Sequence, residues 1–359
     1  MSVAETRRPF LDALRGAAIV LMVLNHTGRW WIERPMGWNR YYLIYATVIL
    51  AAPIFLFLVG FCLAISLRRA AEVDGRGAAA LTRKYVGRGA WVIAAGWLLN
   101  ALVFPEEPFW SGGVLQTIGL SILILPAFGP LLRHGWARWG LVALAAALYL
   151  AYAAAFDRLT AWVQAHPGVS QVIFLDFPPW PWVAVPMAGL ALGRMELDRV
   201  DPAARRRFYA TLGVAGLLAM AGALAWDLTA GVSPAQGFKR DFILNGYWTP
   251  GGSTVVWIVG AVLAVLAAAR WLVEEQGLRA GGLVVLGRAA FMIYFVHQLI
   301  VLTLVHQALG VTMTRWWVFW AANAALIVGL VVLARAWVPR RAPLKQMVRA
   351  RLLARLRPA

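Results

Sequence analysis

The chain has 359 residues, 61% of them hydrophobic and only 14% charged, with a mean hydropathy of +0.68. That composition excludes a soluble domain of this length and describes an integral membrane protein. The formal net charge of +18 invites a nucleic-acid partner, but the basic residues follow membrane topology instead and no such partner is expected.

Crossing a bilayer as a helix takes about 20 apolar residues, and the apolar runs predict ten spans: 10–28, 43–67, 85–104, 113–132, 136–156, 180–195, 208–229, 253–272, 285–306 and 316–338. The sixth is short. The expected fold class is an all-α membrane protein, a single bundle of these helices with both termini cytoplasmic. In that orientation 26 of the 34 Lys and Arg lie at cytoplasmic ends, 7 lie in outer loops and Arg15 lies within the first span. This is the positive-inside asymmetry. The 19 Trp suit the same picture, because indole rings settle at membrane interfaces.

The first span carries the most informative residues. Arg7 and Arg8 resemble the start of a signal peptide, but Asp12 and Arg15 interrupt the apolar run and no small-x-small cleavage site follows, so an uncleaved helix is expected. An ionisable side chain at membrane depth costs several kcal/mol and by default marks a functional site. Arg15 can pair with Asp12 one turn earlier or reach the cytoplasmic surface, and His26 can rest in the outer interface. Yet the two are eleven positions apart, about three turns and roughly 16 Å, which puts them on nearly one face. A shared face is what a site open at both ends requires. Histidine can take a proton from a hydroxyl or amine near neutral pH.

Cys62, the single cysteine, lies in the second span and excludes intramolecular disulfides. The third span is entered through Arg83-Lys84-x3-Arg88, where Lys84 and Arg88 share a helix face. Such charges suit the cytoplasmic rim, and they equally suit a clamp on phosphates. Asn100 and Gln116 are polar residues for which interhelical hydrogen bonding is sufficient reason. The outer segments 157–179 and 230–252 are too short for a soluble domain, and Asp176 and Asp227 on the outer side are candidates to orient His26 or to bind a sugar. In the ninth span Tyr294 and His297 are one turn apart and share a face. The five histidines show no metal-ligand spacing, and no metal is expected. A membrane domain over 1–338 is followed by a tail, 339–359, whose seven Lys and Arg among apolar residues suit an amphipathic helix on an anionic leaflet.

The run Leu11-Asp12-Ala13-Leu14-Arg15-Gly16 through Leu24-Asn25-His26 closely resembles the first core helix of the transmembrane acyltransferase superfamily. That superfamily includes the acyltransferase 3 family and the heparan-α-glucosaminide N-acetyltransferase-like family. Arg15 and His26 match the Arg-x10-His pattern of acyltransferase 3 members. Ala52–Gly60, Gly113–Gln116, Pro179–Trp182, Gly189–Arg194 and Leu286-Gly287-Arg288 leading to Tyr294 and His297 look more like the heparan-acetyltransferase branch. In that branch a functional histidine precedes a Trp-Asn pair in the loop after the first helix. Here Trp38-Asn39 is present, residues 29–37 contain no histidine, and His26 stands where the branch has a helix-end Asn.

The resemblance implies a membrane acyltransferase that moves an acyl group, acetyl by preference, from cytoplasmic acyl-CoA to a hydroxyl or amine of a sugar or glycolipid on the outer side. His26 and Arg15 are the expected catalytic pair. Arg83, Lys84, Arg88, Arg288, Tyr294 and His297 are expected at the acetyl-CoA donor, and Asn25, Trp38, Asn39, Gln116, Asp176 and Asp227 at the acceptor. Expected partners are the lipid bilayer, acyl-CoA, the acceptor and a second copy in a homodimer, in a bacterial inner membrane. The rival reading is a non-enzymatic transporter or flippase that uses the same intramembrane charges as a substrate path; no internal repeat favours it.

Overall fold

A computed structural model describes residues 8–33, 49–70, 75, 77–169, 177–231 and 252–355. Helices account for nearly all of it: α1 (Pro9–Trp30), α2 (Ala51–Arg68), α3 (Ala78–Val103), α4 (Val114–Ile124), α5 (Gly135–Ala165) and α6 (Pro179–Trp182), then α7 (Ala184–Leu197), α8 (Pro202–Thr229), α9 (Gly252–Arg270), α10 (Gly281–Arg288), α11 (Ala290–Gln298) and α12 (Trp316–Arg355). No strand is present among the described residues, only an isolated bridge between Ile32 and Met313. Among the described residues eight helical stretches are long and apolar enough to cross a membrane. The chain is therefore an all-α, multi-pass membrane protein.

The differences from the ten expected spans have local causes. The span at 113–132 is an 11-residue helix that passes into a 3-10 turn, Leu125–Phe128, at Pro126, which cannot donate to the helical ladder. The span at 180–195 is split at Val183 into α6, rich in proline, and the 14-residue α7. The span at 285–306 breaks at Ala289 between α10 and α11, and α11 then runs on as a π-helix, Leu299–Ala308. Gly310, at φ +60°, lets the backbone turn back toward α12 in a conformation that L side chains rarely adopt. Finally, α12 continues through Arg355 without a break at 338, so the basic tail extends the last helix.

At the centre of the bundle stands α1. It contributes to each of the three large apolar clusters and is mostly buried, whereas α5 leaves Trp136, Trp139, Leu144, Leu150 and Trp162 exposed. Small residues allow this crowding, as they do between membrane helices generally. A Cβ on Gly16 would stand 1.9 Å from the Leu283 carbonyl oxygen, and one on Gly287 would stand 1.9 Å from that of Asp12. Backbone thus meets backbone between α1 and α10. Gly60 and Gly189 bring α2 and α7 together in the same way.

One end of the bundle is tied by ions. Glu196 of α7 is fully buried and pairs with Arg8, before α1, and with Arg205 of α8 at 3.1 Å. Arg270 of α9 binds Glu275 at 2.5 Å, and Arg138 of α5 pairs with Asp198. The opposite end is tied by neutral groups: Thr27 Oγ1 donates to Asn323 Oδ1 at 2.7 Å, Trp31 Nε1 donates to the Val301 carbonyl at 3.0 Å, and the Met313 N–H donates to the Trp31 carbonyl at 2.6 Å.

Candidate functional site

A cavity of about 1000 Å³ runs beside α1, which lines it from Asp12 to Trp30. The eighteen residue steps from Asp12 to Trp30 rise roughly 27 Å, close to the thickness of the hydrocarbon core. The opposite wall is a stripe of α3: Tyr85, Arg88, Val92, Gly96 and Leu99 follow one another at three- and four-residue spacing. A third wall is one face of α11 and its π-helical extension, through Tyr294, Gln298, Leu302 and His306. π-Helical segments are rare and are often found at functional sites.

At the ion-tied end the lining is basic. Arg15, Arg88, Arg288 and Arg341 face the cavity with Asp12 as their acidic counterpart. Arg15 is held on two sides, with one guanidinium nitrogen 2.8 Å from Asp12 Oδ1 and another 2.9 Å from Cys62 Sγ. Asp12 also stands 3.6 Å from Arg288, and Arg341 of α12 donates to the Arg288 carbonyl at 3.2 Å. Guanidinium groups stay charged and present several donors in a fixed fork, which suits phosphate.

At the other end the lining includes an imidazole. His26 lines the cavity with Asn25 beside it. Its Nδ1 lies 2.9 Å from Nε2 of His297, a residue of α11 with no exposed surface that is not itself part of the cavity wall. The two rings are within 9° of parallel and their centroids are 5.1 Å apart, so the nitrogens lie far closer than the ring centres and the rings meet edge to edge. The second nitrogen of His297, Nδ1, is 3.0 Å from the Ile293 carbonyl oxygen. Beyond His26 the wall is formed by Arg29, Trp30, Glu106 and Glu107, with His306 against the Trp30 ring at 5.0 Å.

The structure brings together Arg15, Asn25, His26, Arg88, Gln116, Arg288 and Tyr294 around this one cavity. Gln116 also secures the wall: its amide donates to the Ser111 carbonyl at 3.1 Å, and Gly96 leaves room for it. His297 stands behind His26 and away from the donor end where it was expected. Arg83 is exposed and Lys84 sits at the margin, bonded to Ser66 Oγ at 3.3 Å and over the Tyr85 ring; neither lines the cavity. Asp227 is half-buried on α8 and does not line it either. Trp38, Asn39 and Asp176 lie outside the described residues. The sequence reading missed Arg341, which it assigned to a surface tail, and the group of Arg29, Trp30, Glu106 and His306 at the His26 end. The α3 stripe was the signal for the opposite wall, since its members repeat at helical spacing around Gly96. Among the described residues no group of three or more His, Cys, Asp or Glu side chains is placed to hold a metal.

Fold and cavity define a class: a multi-pass helical membrane protein whose polar site runs along its central helix between a cluster of guanidinium groups and a histidine. The catalytic-domain model of heparan-α-glucosaminide N-acetyltransferase matches residues 7–226, more than half of the chain, and the chain belongs to that family. It is thereby a member of a membrane acetyltransferase family. No curated protein matches it.

Proposed function

We propose that the protein transfers an acetyl group from acetyl-CoA, bound at the basic end of the cavity, to a hydroxyl or amine of a sugar or glycolipid bound at the histidine end. The observation that carries this reading is the single cavity lined by Arg15, Arg88, Arg288 and Arg341 at one end and by His26 at the other. The positive-inside bias of the sequence puts the basic end on the cytoplasmic side. The nucleotide phosphates sit among the arginines there, and the pantetheine arm extends along α1 toward His26. Acetyl-CoA needs no metal for this chemistry.

In the transfer, His26 takes the proton of the acceptor hydroxyl or amine as that atom attacks the thioester carbon. The carbon–sulfur bond breaks, and the imidazolium returns the proton to the departing CoA thiolate. Atoms and charge balance without any other reactant. General-base assistance of this kind contributes about 10²–10⁴-fold. Arg15 lies roughly 16 Å from His26 along the helix, so it serves the donor's phosphate end and not the reacting carbon.

The test is turnover of acetyl-CoA by purified protein presented with a panel of amino sugars and glycolipids. The expected result is acceptor-dependent release of CoA that falls by at least about 100-fold in His26→Ala. Wild-type turnover in a correctly folded His26→Ala protein would overturn the reading. So would the absence of donor binding at millimolar acetyl-CoA, the upper end of ordinary KM values, which would return the transporter reading.

A further inference from the structure

The hydrogen bonds of the two histidines fix where their protons sit, which bears on the role proposed for His26 and rests on it. A backbone carbonyl can only accept. The nitrogen that faces the Ile293 carbonyl at 3.0 Å, Nδ1 of His297, must therefore carry a proton. In a neutral imidazole the other nitrogen then has a lone pair and no proton. That nitrogen, Nε2, is the one 2.9 Å from Nδ1 of His26. It can only accept, so His26 Nδ1 carries the proton between them. The remaining nitrogen of His26, Nε2, is left with its lone pair, and His26 is the member of the pair that lines the cavity.

We propose that His297 is a positioning residue that holds His26 in the tautomer with its proton on Nδ1 and its lone pair on Nε2, the nitrogen that takes the acceptor's proton. The alternative arrangement, with the shared proton on His297, would turn a lone pair of His297 toward the Ile293 carbonyl or make His297 a buried cation. Among the described residues the partners of these rings are each other and the Ile293 carbonyl, not a carboxylate. A carboxylate is the usual partner for a catalytic imidazole. Here a neutral second imidazole serves, anchored on the carbonyl four residues earlier in its own helix. This orients the base without placing a fixed negative charge at membrane depth, where such a charge is costly. Edge-to-edge contact also fixes the ring plane of His26, so tautomer and orientation come from one bond.

The partner matters because a free histidine side chain favours the proton on Nε2, which would occupy the nitrogen the reaction needs. Nitrogen NMR of the ¹⁵N-histidine-labelled protein in detergent reads the tautomer directly, with the His26 signals assigned by loss in His26→Ala. The expected wild-type result is a protonated Nδ1 and an unprotonated Nε2 on His26; the reverse would overturn the proposal whatever any variant does. His297→Phe keeps a ring of similar size but removes the acceptor. It should shift His26 toward the Nε2-protonated form and lower kcat at least about tenfold with donor KM unchanged, the pattern of an interaction needed only for the chemical step. His297→Gln, whose side-chain oxygen can accept near the position of Nε2, should recover most of kcat. Unchanged kcat and tautomer in His297→Phe would also overturn it. If His26→Ala is inactive while His297→Phe is fully active, only this proposal falls; if His26→Ala itself turns over normally, the proposed function falls first.

Discussion

The two ends of the cavity solve opposite problems. Among the described residues, Arg15, Arg88, Arg288 and Arg341 face Asp12 at the basic end, whereas beyond His26 the charged lining consists of Arg29, Glu106 and Glu107. The first arrangement is strongly positive and the second slightly negative, so a polyanion is drawn to one end and turned away at the other. The groups also differ in how they are held. Arg15 is fixed by charge, with Asp12 at 2.8 Å, while His26 is fixed by a neutral ring. Binding a charged donor calls for permanent charge, and moving a proton calls for a group that can exist without it. In the proposed function these two tasks are separated along one helix.

That contrast can be broken most sharply at Arg15. Arg15→Met removes a guanidinium from the donor end and leaves the histidines untouched, so donor KM should rise roughly ten- to hundredfold, the equivalent of losing a charge-assisted hydrogen bond of about 1.5–3 kcal/mol. Its kcat at saturating donor should change little. A fall in kcat with donor KM held would mean that Arg15 acts in the chemical step and that the two ends are not separate. A finer distinction lies on α3, where Arg88 lines the cavity and Arg83 does not. Arg88→Ala should raise donor KM severalfold, with an effect that shrinks as salt is added, whereas Arg83→Ala should match the wild type. Equal effects would point to a diffuse basic rim in place of a defined mouth. The smallest signal comes from Cys62, whose sulfur is 2.9 Å from Arg15. Alkylation of this lone thiol, followed by mass spectrometry, should be slowed two- to fivefold by CoA (about 0.4–1 kcal/mol) and left unchanged by acceptor sugars. Protection by the sugar instead would reverse the ends.

Much of this was legible in the chain itself. Charge inside an apolar run exposed Arg15 and His26, and their spacing on a 3.6-residue helix put them on one face before any packing was known. Periodicity could say that Lys84 and Arg88 share a face, but which flank of that face turns inward depends on how α3 packs against α4 and the π-helix. The offset of about 40° between them is enough to bring Arg88 to the cavity and leave Lys84 at its margin once those neighbours fix the rotation of α3. His297 shows the same limit. Its helix and its pairing with Tyr294 were readable, yet its contact with His26 spans 271 positions of sequence and depends on the rotation of α11 about its own axis. The tail shows a further limit: 339–359 reads as a basic amphipathic helix, but that it runs on from α12 and brings Arg341 to the cavity depends on packing that composition does not reveal. The family match ends at residue 226, although Arg288, His297, Gln298 and Arg341 lie beyond it and complete the site.

The Asp12–Arg15 contact has a further consequence, for the way the protein is made. α1 emerges from the ribosome long before Arg288, His297 or Arg341 exist to receive it. A lone arginine would enter the bilayer at a cost of about 2.5–3.5 kcal/mol on translocon scales. Asp12 lies one turn away on the same helix and meets Arg15 at 2.8 Å, so the nascent segment brings its own counter-ion. The first helix can be delivered to lipid already neutralised, and later helices assemble around it as they follow.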